Sequence, residues 1–318
     1  MSEDMIFPVS KTVLSNLERL SREESVISEM RLLELYDIAL PMVRASAELL
    51  DDGLESYEML SVLSEGLTFG DYSVSDDTTP EHRAKVSKSL GALSRTDKAI
   101  FTELYIEGLA DAGRRLTERD FLPSLYGTET FTYVRNSFSD EAYDVFSQDF
   151  LDPKVRYSAS FRDSAQAVSS GEVTYCLLPL EEKGGARLPT VSEIIFRNDF
   201  KINSVIPVFG PDGNADMKYA LVSRGFTVPE RRKDDDLYLE IRIGAGGDTT
   251  LAEIFGAVEH FGMSVYRVNT VTFETEGEEE TYFSVVVKDC GVSFAPLLTY
   301  FALFLRDFVP VGIYKNLE

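Results

Sequence analysis

The chain has few of the residues that metal sites and histidine-based triads require. Its 318 residues include two histidines, His82 and His260, and neither lies near a Cys, Asp or Glu at metal-ligand spacing. A histidine-rich zinc site and a histidine-based triad are therefore not expected. The sequence also contains no G-x-G-x-x-G and no phosphate-loop motif. These absences predict a protein without a metal ion or a cofactor.

Positive charge and long apolar runs are also scarce. The net charge is −23, which argues against nucleic acid or an anionic membrane as a partner. The longest apolar run, Phe294–Leu305, is too short to span a bilayer, and the first ten residues do not resemble a signal peptide. The two cysteines, Cys176 and Cys290, lie in strand-like runs and are expected to be buried thiols in a reducing compartment. We therefore expect a cytoplasmic protein.

The residues that are present indicate an α+β multidomain protein. The apolar fraction of 44% is ordinary for a globular chain, and the length suits two or three domains. Residues 1–125 are predicted to be all-helical and to contain a weak repeat, in which Ser21 with Glu24 and Ser94 with Asp97 have the spacing of helix N-caps. Each copy would be a short helix, a cap and a longer helix, and the two hairpins would form a bundle.

Residues 126–230 alternate between strand and helix patterns, which predicts a layered α/β domain. The predicted strands are Thr130–Val134, Val155–Ser158, Val173–Pro179, Ile202–Val208 and Tyr219–Ser223, and the predicted helices are Ser139–Phe150, Asp163–Ser169 and Thr190–Phe196.

Residues 231–318 predict a βαββαβ unit. Its elements are expected at Leu237–Ile243, Leu251–Phe261, Val265–Thr272, Tyr282–Val287, Ala295–Phe304 and Val309–Tyr314. The acidic run Glu276–Glu280 is interpreted as a solubility and linker feature.

The α/β segment resembles the prephenate dehydratase family. The motifs that carry the resemblance are Asn136-Ser137-Phe138-Ser139, the pattern from Phe161 through Gly171-Glu172-Val173 to Tyr175, Pro179-Leu180-Glu181-Glu182-Lys183, and Met217-Lys218-Tyr219. The resemblance implies that Ser137, Ser139, Glu181 and Met217 occupy the positions of the family's active cleft.

Several departures from the family pattern affect that cleft. Glu182-Lys183 replaces an Asn-Ser pair, and Met217 replaces the threonine whose hydroxyl is thought to act in dehydration. Only Phe209–Asp216 stands where the family has a complete second lobe. Since the family's substrate lies between its two lobes, we expect Ser137, Ser139, Glu181 and Met217 to be vestigial and dehydration to be lost.

The last unit resembles the ACT domain that follows prephenate dehydratases. The resemblance implies an amino-acid ligand site at Thr249, Thr250, Leu251, Asn269 and Thr270, although the motifs of phenylalanine-sensing members are changed there. It also implies a homodimer formed through this unit. The apolar face of Ala295–Phe304 could then be either that interface or ordinary core.

In bifunctional relatives an all-helical chorismate mutase precedes the dehydratase, and residues 1–125 have the corresponding position and length. A mutase stabilises a bound dianion with several cations. The candidates are Arg31, Arg44, Arg83 and Arg114, with Lys88 and Arg115 also available, and the alternative is that they are solvated or paired along helices.

Three functional hypotheses follow. The first is a regulatory or scaffolding subunit of aromatic amino-acid (phenylalanine) biosynthesis that has lost dehydratase activity. The second is an active chorismate mutase carried by the helices. The third is a small-molecule sensor with a changed ligand.

Overall fold

The chain folds into a mixed α/β architecture, as the sequence predicts. The computed structural model describes residues 11–51, 53, 93–121, 125, 127–209, 215–230, 236–247, 249–275, 278–305 and 308–315. Within these residues the helices are α1 (Lys11–Asp51), α2 (Arg95–Asp111), α3 (Ser137–Phe146), α4 (Phe161–Ser169), α5 (Pro189–Arg197), α6 (Leu251–His260) and α7 (Ala295–Phe304). Short 3-10 turns cover Glu118–Phe121 and Ser147–Asp149.

The strands form one sheet. They are β1 (Thr130–Val134), β2 (Lys154–Ser158), β3 (Tyr175–Glu182), β4 (Lys201–Phe209), β5 (Ala215–Ser223), β6 (Leu237–Gly244), β7 (Ser264–Thr275), β8 (Glu278–Lys288) and β9 (Phe308–Lys315). Their spatial order is β2-β1-β3-β5-β4-β9-β6-β8-β7. The last four strands, with α6 and α7, run in the order βαββαβ along the chain.

Two local predictions are corrected by the structure. Ser21 does not cap a second helix, because α1 runs without a break from Lys11 to Asp51. The acidic residues Glu278–Glu280 belong to β8 and pair with the end of β7, so they are part of a hairpin and not of a linker. Ser94, in contrast, does cap α2, since its side chain accepts a hydrogen bond from the backbone N–H of Asp97.

The two halves of the sheet meet at a narrow junction. β4 and β9 pair in parallel through Ile202 and Gly312. A Cβ at Gly312 would lie 2.8 Å from the carbonyl oxygen of Ile202, so only glycine allows this approach without a shift. The junction makes the strands of residues 126–230 continuous with those of residues 231–318.

The sheet is strongly curled around α5. Six strand-to-strand steps separate β3 from β7, which at ~4.8 Å per step is about 29 Å along the sheet. Arg267 on β7 nevertheless donates a hydrogen bond to Glu181 on β3 over 2.7 Å. Helix α5 lies on the concave face, where Arg197 donates to the backbone oxygen of Glu274 over 2.6 Å. The curl therefore brings residues from both halves to one place.

The N-terminal helices pack on the helices of the last unit. Lys98 on α2 forms an ion pair with Glu253 on α6 over 2.6 Å, and the rings of Phe101 and Phe304 meet edge to face at 5.9 Å. Phe101 and Phe304 belong to one apolar core that includes most of α7. The apolar face of α7 is therefore buried in the core of its own chain. The sequence left two roles open for this face, dimer interface or core, and the structure shows that it is core.

Among the described residues, no helix combines the length and the apolar character needed to cross a membrane.

Candidate functional site

The candidate site begins at the end of β3. A register shift between Pro179 and Glu181 interrupts the pairing with β5, and the chain then turns back so that Glu181 bridges Arg187. Gly184 and Gly185 make this turn with φ of +93° and +83°, a conformation that favours glycine. The bulge and the turn place Glu181 and Arg187 side by side on the concave face.

Two arginines hold the carboxylate of Glu181. Arg267 Nη1 donates to Oε1 over 2.7 Å and also donates to the backbone oxygen of Gly185 over 3.0 Å. Arg187 Nε lies 3.2 Å from the same Oε1. Lys218 Nζ lies 3.9 Å from Oε2. Since the Glu181 residue is only 5% exposed, these cations compensate a charge that water barely reaches.

Arg187 continues the network into β6 and β9. Its Nη2 donates to Glu240 Oε2 over 2.8 Å and to the hydroxyl of Tyr314 over 3.2 Å. Tyr314 in turn donates to Glu240 Oε2 over 2.9 Å, and Ser284 donates to Glu240 Oε1 over 2.7 Å. Glu240 is 1% exposed. We call Glu181, Arg187, Glu240, Arg267 and Tyr314 the junction network.

Arg187 and Tyr314 both keep their protons in the junction network. Burial opposes the charge of Arg187, but Glu240, Tyr314 and Glu181 outweigh it, so the pKa of the guanidinium lies above its ordinary value. Burial, reinforced by Glu240, raises the pKa of Tyr314 well above its ordinary value. The phenol of Tyr314 therefore remains a hydrogen-bond donor at neutral pH.

The space left inside the network is very small. A gap of about 10 Å³ lies between Glu181, Arg187, Arg267 and the rings of Tyr238 and Tyr266, about what one water needs. Glu181 Oε2 and Arg187 Nε are buried there without a hydrogen-bond partner. One bridging water would satisfy both atoms, whereas a substrate the size of prephenate would not fit.

The other predicted cleft residues lie on the opposite face of the sheet. Met217 and Tyr219 pack with the core beneath α3, whereas Glu181 and its neighbour Lys218 face the concave side. Ser139 is buried as part of a capping box with Asn136, and its hydroxyl donates to the backbone oxygen of Val134 over 2.8 Å. Ser137 is exposed at the first turn of α3. The structure thus does not bring Ser137, Ser139 and Met217 together with Glu181.

The arginines predicted for a mutase site are dispersed along the helices. Arg31 pairs with Asp97 at the start of α2, and Arg114 pairs with Asp51 at the end of α1. Because α1 continues for twenty residues between these two pairs, about 30 Å separates them. Arg44 is exposed between them, and Arg83 and Lys88 lie outside the described residues. The described arginines do not converge on a common ligand.

The predicted amino-acid site is divided between two faces of the last unit. Thr250 is the N-cap of α6 and accepts from the backbone N–H of Glu253 over 3.2 Å, with Thr249 before it and Leu251 packed on the core of the helical face. Thr270 is exposed on β7. Asn269 lies on the concave face opposite Ser284, and its side-chain nitrogen is buried without a hydrogen-bond partner. Of these residues, Asn269 is the one adjacent to the junction network.

Sequence reasoning missed Arg187, Glu240, Arg267 and Tyr314. Arg187 had a local signal, because Gly184-Gly185 marks a turn that returns the chain beside Glu181. The other three come from strands that are distant in sequence, and a single sequence gives no signal for such contacts.

Metal ligands and open cavities were the other possible signs of a ligand site. The described part of the chain holds no group of three His, Cys, Asp or Glu that could bind a metal. A wider, open depression of about 430 Å³ lies near Gly127, Gly171 and Arg224, and it contains none of the predicted site residues.

Comparisons with known proteins add the following. No protein-family model and no curated protein matches the chain. Among solved structures, the chain is similar to prephenate dehydratase from Streptococcus mutans, with 14% identity and a TM-score of 0.46 over 60% of this chain and 100% of that one. It is similar to prephenate dehydratase from Arthrobacter aurescens in complex with L-Phe, with 14% identity and a TM-score of 0.44 over 59% and 90% of the two chains. It is also similar to GqqA, described as a novel type of quorum quenching acylase, with 19% identity and a TM-score of 0.43 over 60% and 96%. All three TM-scores are below 0.5, so these similarities do not assign an activity to this chain.

Proposed function

We propose that this chain is a non-catalytic relative of prephenate dehydratases that acts as a regulatory or scaffolding subunit in aromatic amino-acid (phenylalanine) biosynthesis. The motif from Phe161 to Tyr175 supports the relationship. The loss of dehydration is supported by one observation above all: Glu181, in the position that resembles the family's cleft, is buried among Arg187, Arg267 and Lys218. A gap of about 10 Å³ remains there.

The dispersed cleft positions support the same proposal. Dehydration needs its acidic, basic and positioning groups within hydrogen-bond reach of one substrate. Met217 packs with the core on one side of the sheet, Ser139 is held in the capping box at the start of α3, and Glu181 faces the other side of the sheet. Rotamer changes alone cannot bring Met217 to Glu181, because the two side chains lie on opposite faces of the sheet.

The βαββαβ unit is the regulatory part in this proposal, and it is of ACT type. A homodimer formed through this unit in the cytoplasm belongs to the same proposal. β7 is an end strand of the described sheet, so one of its edges is available for pairing with a second copy.

A direct assay tests the loss of dehydration. Purified full-length protein is incubated with prephenate, and phenylpyruvate is measured against an active prephenate dehydratase as positive control. We expect no turnover above the spontaneous rate, with folding verified by circular dichroism. Turnover at an ordinary enzyme rate, about 1 s⁻¹ or more, would overturn the proposal.

A sensor with a changed ligand is the second candidate, and Asn269 favours it. Its amide nitrogen is buried beside Ser284 without a partner, so a ligand carboxylate or carbonyl would supply the missing acceptor. Thermal shift against the twenty amino acids tests this, since a ligand at a hundred times its dissociation constant adds about 2.7 kcal/mol. Asn269→Leu should abolish any shift, whereas the exposed Thr270→Val should retain it. A shift that survives Asn269→Leu would rule out this site.

A chorismate mutase is not favoured by the described helices, because Arg31 and Arg114 are each paired at opposite ends of the α1–α2 pair. The loss of chorismate absorbance on incubation with the protein is the corresponding test.

A further inference from the structure

Residues 21–34 of α1 form a helical arm in which every residue is exposed. At about 1.5 Å per residue the arm is about 20 Å long. Arg31 pairs with Asp97 at the start of α2, and apolar contact with the described part of the chain begins at Leu35, which is buried against α2. Isolated helices of this length are marginal in water, so an arm with no apolar packing partner among the described residues needs another source of stability.

The arm has an apolar stripe. Val26, Met30 and Leu33 recur at the i, i+4 and i+7 spacing that places side chains on one helix face. They are 54%, 59% and 65% exposed, and Ile27 at the margin of the stripe is 63% exposed. Apolar side chains of this size, repeated on one face, indicate a surface that another molecule covers.

This stripe is not a continuation of the face that packs on α2. At about 100° per residue, Leu35 lies roughly 180° around the helix from Val26. The buried residues Ala39 and Met42 lie on the same side as Leu35. Helix α1 therefore presents one apolar face to its own chain and, further toward its N-terminus, a second one in the opposite direction.

Charges at the two ends of the stripe are opposite in sign. The same face continues with Arg19 and Arg22 before Val26 and with Asp37 after Leu33, and all three charged residues are exposed. Arg19 also pairs with Glu23 over 2.9 Å, an exposed pair within one helix that is easily exchanged. The face is therefore positive at one end, apolar in the middle and negative at the other end.

Such a face is complementary to itself in the antiparallel orientation. A twofold axis between residues 29 and 30 would place Val26 opposite Leu33 and Arg22 opposite Asp37, with Met30 at the centre, and each contact would occur twice. A parallel pair would instead place like charges together at both ends, which disfavours that orientation.

We propose that this arm is an interaction surface whose partner is the same arm of a second copy of the chain, paired antiparallel through Val26, Met30 and Leu33. The surface is distinct from the βαββαβ unit and does not depend on the function proposed above.

Sedimentation of the full chain tests the proposal. Met30→Lys places a charge in the stripe, and Ser28→Lys places the same charge on the opposite side of the arm, where Ser28 is also exposed. Because neither position is buried, both variants should fold, which circular dichroism verifies. We expect Met30→Lys to lower the association state by one step and weaken self-association at least tenfold, while Ser28→Lys sediments like the wild type. Equal sedimentation of Met30→Lys and the wild type would overturn the proposal.

Charge exchange tests the orientation. Asp37→Arg should weaken association, and Arg22→Asp added to it should restore association, because the two positions face each other only in the antiparallel pair. If the double variant associates no better than Asp37→Arg alone, the antiparallel register is wrong.

Discussion

At the scale of single residues, the two cysteines differ in their surroundings. Cys176 on β3 is fully buried, and burial raises the pKa of its thiol to about 12. Cys290 is exposed in the turn after β8. The sequence predicted both to be buried, and it fails for Cys290 because that residue has a φ of 48° in a turn that a strand pattern does not reveal.

This difference predicts the number of reactive thiols. Since the thiolate is the reactive form, a disulfide reagent such as DTNB should modify one thiol of the native protein rapidly and the second only after unfolding. Cys290→Ser should remove the rapid phase. Two rapid equivalents in the wild type would show that β3 is not buried as described.

Lys201 is a second residue whose burial has a measurable consequence. It is 4% exposed, and its ammonium pairs with Asp199 over 2.8 Å. Burial lowers the pKa of Lys201 below its ordinary value, although Asp199 opposes the shift. Asp199 is mostly exposed and also lies near Arg242, so loss of the lysine would not leave a buried charge without a partner.

We therefore expect Lys201→Met to be neutral or to stabilise the protein by about 1 kcal/mol at pH 7. At pH values between the lowered pKa of Lys201 in the folded protein and its ordinary value near 10.4, the lysine is protonated in the unfolded state and neutral in the folded state. The free energy of unfolding of the wild type therefore rises with pH in that range. The difference in stability that favours Lys201→Met should then shrink toward pH 10. Urea unfolding at several pH values measures this. A variant less stable than the wild type by 2 kcal/mol or more would contradict it.

At the scale of elements, local patterns predicted most strands and helices, whereas their long-range pairing was beyond the sequence. Thr130–Val134 and Ala295–Phe304 have the predicted bounds because their apolar periods match a strand and a helix. The pairing of Ile202 with Gly312 joins residues over a hundred positions apart, and no local pattern encodes it. The same limit applies to the candidate site, where Glu181 was identified but its partners on β6 and β7 were not.

The junction between β4 and β9 depends on Gly312. A methyl group there would lie 2.8 Å from a backbone oxygen that cannot move independently of β4. We expect Gly312→Ala to lower the free energy of unfolding by about 1–3 kcal/mol. Gly244→Ala, in open space at the end of β6, is the matched control and should change it by less than about 1 kcal/mol. Equal effects of the two substitutions in urea unfolding would show that the junction is not tight.

At the scale of the whole molecule, the curl of the sheet joins the two halves through buried charges. The carboxylate of Glu181 and the turn residue Arg187 come from the α/β half, and Glu240, Arg267 and Tyr314 come from the βαββαβ unit. Buried ion pairs contribute little net stability but are strongly destabilising when one partner is removed. Their effect here is to fix how the two halves meet.

The central claim is that this position holds a closed network between the two halves and not an open cleft. A double-mutant cycle on Arg187→Met and Glu240→Gln tests it most directly by urea unfolding, with the exposed pair Arg156 and Glu172 as control. We predict that Arg187→Met alone costs about 3–5 kcal/mol and that the two substitutions couple by about 1–3 kcal/mol, whereas the exposed pair couples close to zero. Additive effects of Arg187→Met and Glu240→Gln, within about 0.3 kcal/mol, would contradict the account.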